Sequence, residues 1–112
     1  MTTGPRKMLI VFIDETDEWQ NEKLYAVIVR VLERNDIAGA TVISGIMGYG
    51  THREIHRKGL FGVPDDKPVA IIAIDEEEKL RAVLPQIVPM VIEGLISLHD
   101  TEVVFSGTGA RR

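Results

Sequence analysis

The chain contains no cysteine. Disulfides, thiolate metal centres and cysteine nucleophiles are therefore excluded. The absence of disulfides fits a cytoplasmic protein, which is the location expected here. Long apolar runs are also lacking. Near the start, residues 8–13 are apolar, but Asp14 and Glu15 follow at once. That stretch is too short for a secretory signal and far too short to span a bilayer, so it reads as a buried strand. Positive charge is in deficit as well, with 17 Asp and Glu against 13 Lys and Arg and a net charge of −4. A surface of that sign does not bind nucleic acid broadly, and no nucleic-acid partner is expected; a local basic site stays open.

What is present is the material of one globular domain: 112 residues, 45 % of them hydrophobic. Residues 7–13 form the first predicted strand, short, β-branched and continuous. DETDEW then reads as a helix start, with Thr16 or Asp17 as cap and its carboxylates against the positive end of the helix dipole. Leu24, Val27, Ile28, Val31 and Leu32 keep the spacing of a helix with one buried face, and Gly39 falls beyond its end. Residues 40–47 and 68–74 are the second and third strands. DEEE at 75–78 opens a second helix, whose apolar phase runs from Leu80 to Ile92 across Pro85 and Pro89. The unbroken phase predicts one kinked helix rather than two elements. Gly94 ends it, and 95–105 is a last strand interrupted by HDTE. Residues 106–112, SGTGARR, have the composition of a tail.

Strand, helix, strand, twice over, is the ferredoxin-like βαββαβ arrangement: an α+β fold with a four-stranded antiparallel sheet and two helices on one face. Those helices cover only one side, yet LIVFI and VAIIAI offer water no polar face. Strands of that kind read as buried on both sides, so a second copy is expected to cover the open one.

The stretch GYGTHREIHRKG places His52, Arg53, His56, Arg57 and Lys58 within seven residues of an acidic chain. Three readings compete. Thr51-x-x-Glu54 matches a capping box, and Gly59 would close a surface helix over 52–58, which explains every charge without a ligand. Alternatively, Gly48 and Gly50 admit a ligand to the backbone. Tyr49 then offers a stacking surface, and Arg53, Arg57 and Lys58 supply charge for an anion. Neither a GK[ST] phosphate loop nor a GxGxxG fingerprint is present. Finally, His52 and His56 stand four apart, a zinc spacing, but lack an evident third ligand, so they are weak metal candidates. Catalysis has little support. Asp14, Glu15, Asp17 and Glu18 are accounted for by the expected helix start, no nucleophile has an evident base, and Ser44 sits in a strand, buried or facing a neighbour. Trp19 and Tyr25 read as packing residues.

Three strings carry a resemblance: AGATVISGIMGYGTHREIHRKG, EEEKLRAVLP and EGLISLHDTEVV. Together with LYAVIVRVL they resemble the DUF190 family, itself similar to the PII-like signalling proteins, over about residues 8–105. The resemblance implies a ferredoxin-like homotrimer with small effectors, often nucleotides, held in clefts between subunits; with no catalytic set in the sequence, the protein is not expected to be an enzyme. It also implies a partner-contacting segment at 48–66, the counterpart of the PII T-loop, directed at a regulated protein or membrane transporter. The apolar PMVIEG at 89–94 departs from the basic, glycine-rich turn by which PII proteins hold ATP phosphates. A metal-binding trimer like the CutA proteins, which share the fold, is the remaining alternative.

Overall fold

A computed structural model describes residues 2–50 and 67–107. In chain order the elements are β1 (Gly4–Asp14), the short β2 (Glu18–Trp19) and β3 (Glu22–Lys23), α1 (Leu24–Arg34), β4 (Ala40–Ser44), β5 (Pro68–Asp75), α2 (Glu77–Ile87), a 3-10 turn (Val88–Met90) and β6 (Leu95–Val103). Four strands form one antiparallel sheet in the order β4-β5-β1-β6. This is the expected α+β arrangement, with the first and third long strands at the centre.

The two central strands alternate. Leu9, Val11 and Ile13 of β1 and Val69, Ile71 and Ala73 of β5 are buried on the helix side. Against them α1 sets Leu24, Ile28 and Leu32, and α2 sets Leu80, Val83 and Ile87, each at spacings that return to one helical stripe. Trp19 and Tyr25 pack on the rim of this core, as expected of them. The other face is also apolar. Its rows, read across the register, are Thr41–Ile72–Ile10–Ser97 and Ile43–Ala70–Phe12–Leu95. No element covers this second face among the described residues.

Local structure departs from the sequence reading in four places. DETDEW does not begin a helix. Asp14 and Asp17 close a turn, and β2–β3 follow as a two-residue hairpin whose central Gln20 and Asn21 both have positive φ, as primed hairpin turns require. The helix starts only at Leu24, and its N-cap residue Lys23 makes no side-chain capping bond. At its far end Asp36, at φ 61°, terminates α1, while the Ile37 N–H donates to the Leu32 carbonyl. The second helix absorbs Pro85 but not Pro89: regular α geometry stops at Ile87 and tightens into the 3-10 turn, leaving Val91 and Ile92 outside. β4 ends at Ser44 rather than 47, and of the two expectations for Ser44, buried or facing a neighbour, the single chain excludes the first, since Ser44 is exposed. β6 runs unbroken through HDTE, because an edge strand can turn polar side chains outward; Lys7 of β1 pairs with Asp100 there.

One buried charge ties these pieces together. Asp75, at the end of β5, accepts the N–H of Ala38 (2.8 Å) and of Glu76 (2.7 Å) and faces the Lys79 ammonium at 3.3 Å. Burial pushes its carboxyl up, but these three donors outweigh burial and hold it below the usual aspartate range.

Candidate functional site

The register fixes where each connection emerges. Asp14 stands opposite Pro68, Ser44 opposite Val69, and Phe12 opposite Leu95. The end of β1, the end of β4, the start of β5 and the start of β6 therefore meet at one end of the sheet. Gly48, Tyr49 and Gly50 leave from that end.

Glycine is required there by close approach. The Gly45 N–H donates to the Pro68 carbonyl at 2.7 Å. A Cβ on Gly45 would lie 2.9 Å from Pro68 Cγ, and one on Gly48 would lie 3.1 Å from the same atom. The segment 45–48 is thus folded over the first residue of β5. Beyond it Tyr49 is exposed, and Gly50 has open space where a side chain would be. Gly94 closes the neighbouring side. Its φ is +158°, and a Cβ there would sit 2.4 Å from the Phe12 carbonyl oxygen.

A hydrogen-bonded turn fastens the return of the chain. Asp14 accepts bonds from the Thr16 N–H (2.9 Å), the Thr16 hydroxyl (2.7 Å) and the Lys67 N–H (3.0 Å). Glu15 N–H donates to the Lys67 carbonyl at 2.7 Å, and Asp17 accepts the Asp14 N–H at 3.0 Å. Burial raises the Asp17 carboxyl above its ordinary value. The Asp14 N–H opposes that rise, and the charges of Asp14 and Glu93 add to it. The carboxylates of Asp14 and Asp17 are therefore explained by this turn and not by a helix dipole.

Of the residues singled out in the sequence, the structure brings Gly48, Tyr49 and Gly50 to this end. Arg53, Arg57 and Lys58, the metal candidates His52 and His56, and the capped helix over 52–58 lie outside the described residues. Sequence reading overlooked Pro68 as the neighbour of Gly48, and Lys67, Glu93 and Gly94 as residues at the same end of the sheet. Only pairing across the sheet joins them. Among the described residues no group of three or more His, Asp or Glu is arranged to hold a metal. His99 pairs in register with Met8, four residues along β1 from Phe12 and so about 13 Å from this end. Its Nε2 lies 2.8 Å from the Ser97 hydroxyl on the open face, a pair that the sequence did not suggest. Among the described residues no helix is long and apolar enough to cross a membrane.

The described part of the site is acidic: Asp14, Glu15, Asp17 and Glu93 outnumber Lys23 and Lys67. An anion held here requires positive charge from elsewhere in the chain or from a neighbouring copy.

The family model described as Uncharacterized ACR, DUF190, matches residues 6–103. The chain belongs to the DUF190 family. A UPF0166 protein of Aquifex aeolicus is 34 % identical over 105 residues, covering 94 % of this chain and 99 % of its own. Among solved structures, this DUF190 chain is similar to CPII from Thiomonas intermedia K12 bound to ADP, AMP and acetate, with TM-score 0.66, 22 % identity and 92 % of each chain covered. CPII is also solved with ADP and bicarbonate. A PII-like signaling protein from Thermus thermophilus matches with TM-score 0.63 at 13 % identity, covering 93 % of this chain and 94 % of its own. This member of DUF190 thus has the fold of the PII-like signalling proteins.

Proposed function

We propose that the protein is a regulatory subunit that binds a small anionic or nucleotide effector at the GYG end of the sheet and signals through residues 48–66. The observation that carries this reading is the fastening of both stems of that stretch. Gly45 and Gly48 close over Pro68, while Lys67 is bonded to Asp14 and Glu15. A segment held at both ends transmits occupancy to the strands it leaves and enters. CPII, bound to ADP and AMP, supplies the ligand class. In this scheme Gly48 and Gly50 give backbone access and Tyr49 stacks on the effector. Because the described surroundings are acidic, Arg53, Arg57 and Lys58 provide the charge that an anion needs.

The same reading includes a homotrimer. The second sheet face, with Met8, Ile10, Phe12, Ile72 and Ile74, is apolar like the first, and burial against other copies removes it from water. The effector cleft then lies between subunits.

Thermal-shift measurements with ADP, AMP, ATP and cyclic nucleotides test the effector. A ligand at a hundred times its Kd stabilises by about 2.7 kcal/mol, and Arg53→Ala removes most of that shift. No shift with any nucleotide, or a shift that Arg53→Ala leaves intact, overturns the site assignment.

A second reading is favoured by one feature. Ile46, Met47 and Tyr49 are 103 %, 84 % and 73 % exposed within one short stretch. Such a stretch suits direct docking on a regulated protein or membrane transporter without a small ligand. Copurification with one partner, insensitive to every nucleotide tried, would favour it.

A further inference from the structure

The open sheet face changes character along its length. Its middle is apolar, with Met8, Ile10, Ile72 and Ile74 in adjoining rows. At the end away from GYG the rows turn polar: Arg6 stands opposite Thr101, and Met8 opposite His99. Side chains alternate along a strand, so Arg6, Thr101, His99 and Ser97 all project from this one face. Residues directly opposite are about 5 Å apart at Cα and diagonal neighbours about 7–8 Å. One small ligand can therefore span Arg6, Thr101 and His99.

Arg6 is the unusual member. Its Nη1 donates to the Pro5 carbonyl and its Nη2 to the Thr2 hydroxyl, both at 2.7 Å. Both acceptors are neutral. Nε is buried and has no hydrogen-bond partner among the described residues. Nearby cations are treated differently: Lys7 pairs with Asp100, Lys79 with Asp75 and Arg81 with Glu77. On the open face the acidic residue of matching parity is Asp14, eight residues along β1 and so about 27 Å away. A half-buried guanidinium without a counter-charge is costly, and an anion supplies the missing one.

β6 contributes the other donors. The Ser97 hydroxyl lies 2.8 Å from His99 Nε2 and holds the ring. When that hydroxyl donates, the neutral imidazole carries its proton on Nδ1, which is then a donor itself. Thr101, half-buried, brings a hydroxyl level with Arg6. A guanidinium fork, an imidazole N–H and a hydroxyl suit the oxygens of a phosphate group.

We propose that Arg6, Thr101 and His99 form a second anion site, for a phosphate group, at the end of the open face away from GYG. The Arg6 Nε–H and one Nη2–H meet two oxygens side-on, and the Thr2 hydroxyl, a neutral acceptor, gives way to a charged one. Thr101 and His99 Nδ1 donate to the remaining oxygens while Ser97 keeps the ring in place. The Arg6 row lies two residues from the last pair of the sheet, Gly4 with Val103, so the site opens at the margin of the apolar face. Every donor belongs to one chain, and the site rests neither on the effector reading nor on the homo-oligomer.

The test follows the ring signals of His99 and Tyr49 by nuclear magnetic resonance in low-salt buffer, with His99 assigned from His99→Gln. Inorganic phosphate and glycerol phosphate are titrated separately. The His99 ring should shift saturably with a Kd of about 1 mM or tighter, and Tyr49 should stay still. Saturation by either ligand supports the site, and the tighter of the two tells a free ion from an ester. Arg6→Gln should weaken binding at least about tenfold, and Arg6→Lys should restore part of it, a point charge lacking the fork. Arg34→Gln removes the same charge from the exposed last turn of α1 and should change nothing. The inference is overturned if His99 does not respond up to about 10 mM of either ligand, or if Tyr49 responds in its place. Equal losses from Arg6→Gln and Arg34→Gln overturn it too. Should Arg6→Gln not fold, Thr101→Val decides: a Kd weakened about threefold or more supports the site, and an unchanged Kd refutes it.

Discussion

The carboxylate of Asp14 accepts the backbone N–H of Lys67 at 3.0 Å, joining residues 53 positions apart. It fastens the chain that returns from residues 51–66 to the turn after β1. The bond from Glu15 N–H to the Lys67 carbonyl doubles the fastening. Asp14→Ala leaves the Lys67 and Thr16 amides without that acceptor. A loss of about 1–3 kcal/mol is expected in urea melts, with faster exchange at the Glu15 and Lys67 amides. A variant as stable as the parent would show that this turn does not hold the stem.

Gly94→Ala is expected to be among the most damaging single-methyl additions. The new Cβ would meet the Phe12 carbonyl oxygen at 2.4 Å and Val91 Cγ1 at 3.0 Å. Backbone oxygen cannot swing aside as a side chain does, so β1 and β6 must separate. A cost of about 2–4 kcal/mol is expected by chemical denaturation. Gly50→Ala, with open space around it, serves as the neutral control.

Asp17 carries a pH dependence of definite sign. Burial raises its folded value, so the native state holds the proton more tightly than the unfolded chain does. Stability then falls as pH rises from the ordinary aspartate range through the folded value. Asp17→Asn keeps an oxygen for the Asp14 N–H and removes the charge. The melting-temperature advantage of the variant should grow between about pH 4 and pH 7. Parallel curves for the two proteins would refute the argument.

Asp75 behaves oppositely. Its carboxyl is held below the usual range, so its contribution is complete above the unfolded value and disappears as pH falls through the folded one. Asp75→Asn sets an amide group among three donors, the N–H groups of Ala38 and Glu76 and the Lys79 ammonium. A cost of about 2–3 kcal/mol is expected at pH 7, shrinking below pH 4 as the parent itself protonates.

Ile10 lies mid-row on the open face, between Ile72 and Ser97. Ile10→Asp puts a charge where other copies are proposed to pack and leaves the helix-side core of Leu9 and Val11 untouched. Native mass spectrometry should show single chains with unchanged far-ultraviolet circular dichroism. Intact oligomers of this variant would place the interface elsewhere.

The periodic segments were legible because their signals are local. Leu24, Ile28 and Leu32 repeat at the pitch of a helix and are all buried. The central strands show as β-branched runs whose order yields the sheet topology. The acidic stretch at 14–18 misled for an equally physical reason. Carboxylates suit a helix N-terminus and a tight turn alike, and the bond that decides between them comes from Lys67, far along the chain. Pro89 was likewise misjudged from continuity of the apolar phase, which continues across a proline that regular α geometry does not.

By itself the sequence determined the element order, the apolar stripe of each helix, the family and the two-sided hydrophobicity of the strands, since each is written in neighbouring residues. Only the tertiary structure decided that Gly45 and Gly48 close over Pro68, that Gly94 and Glu93 stand at the same end, and that, among the described residues, β4 and β6 are the sheet's edges and run in opposite directions. Those relations come from pairing across the sheet, where residues distant in sequence meet and no spacing rule connects them.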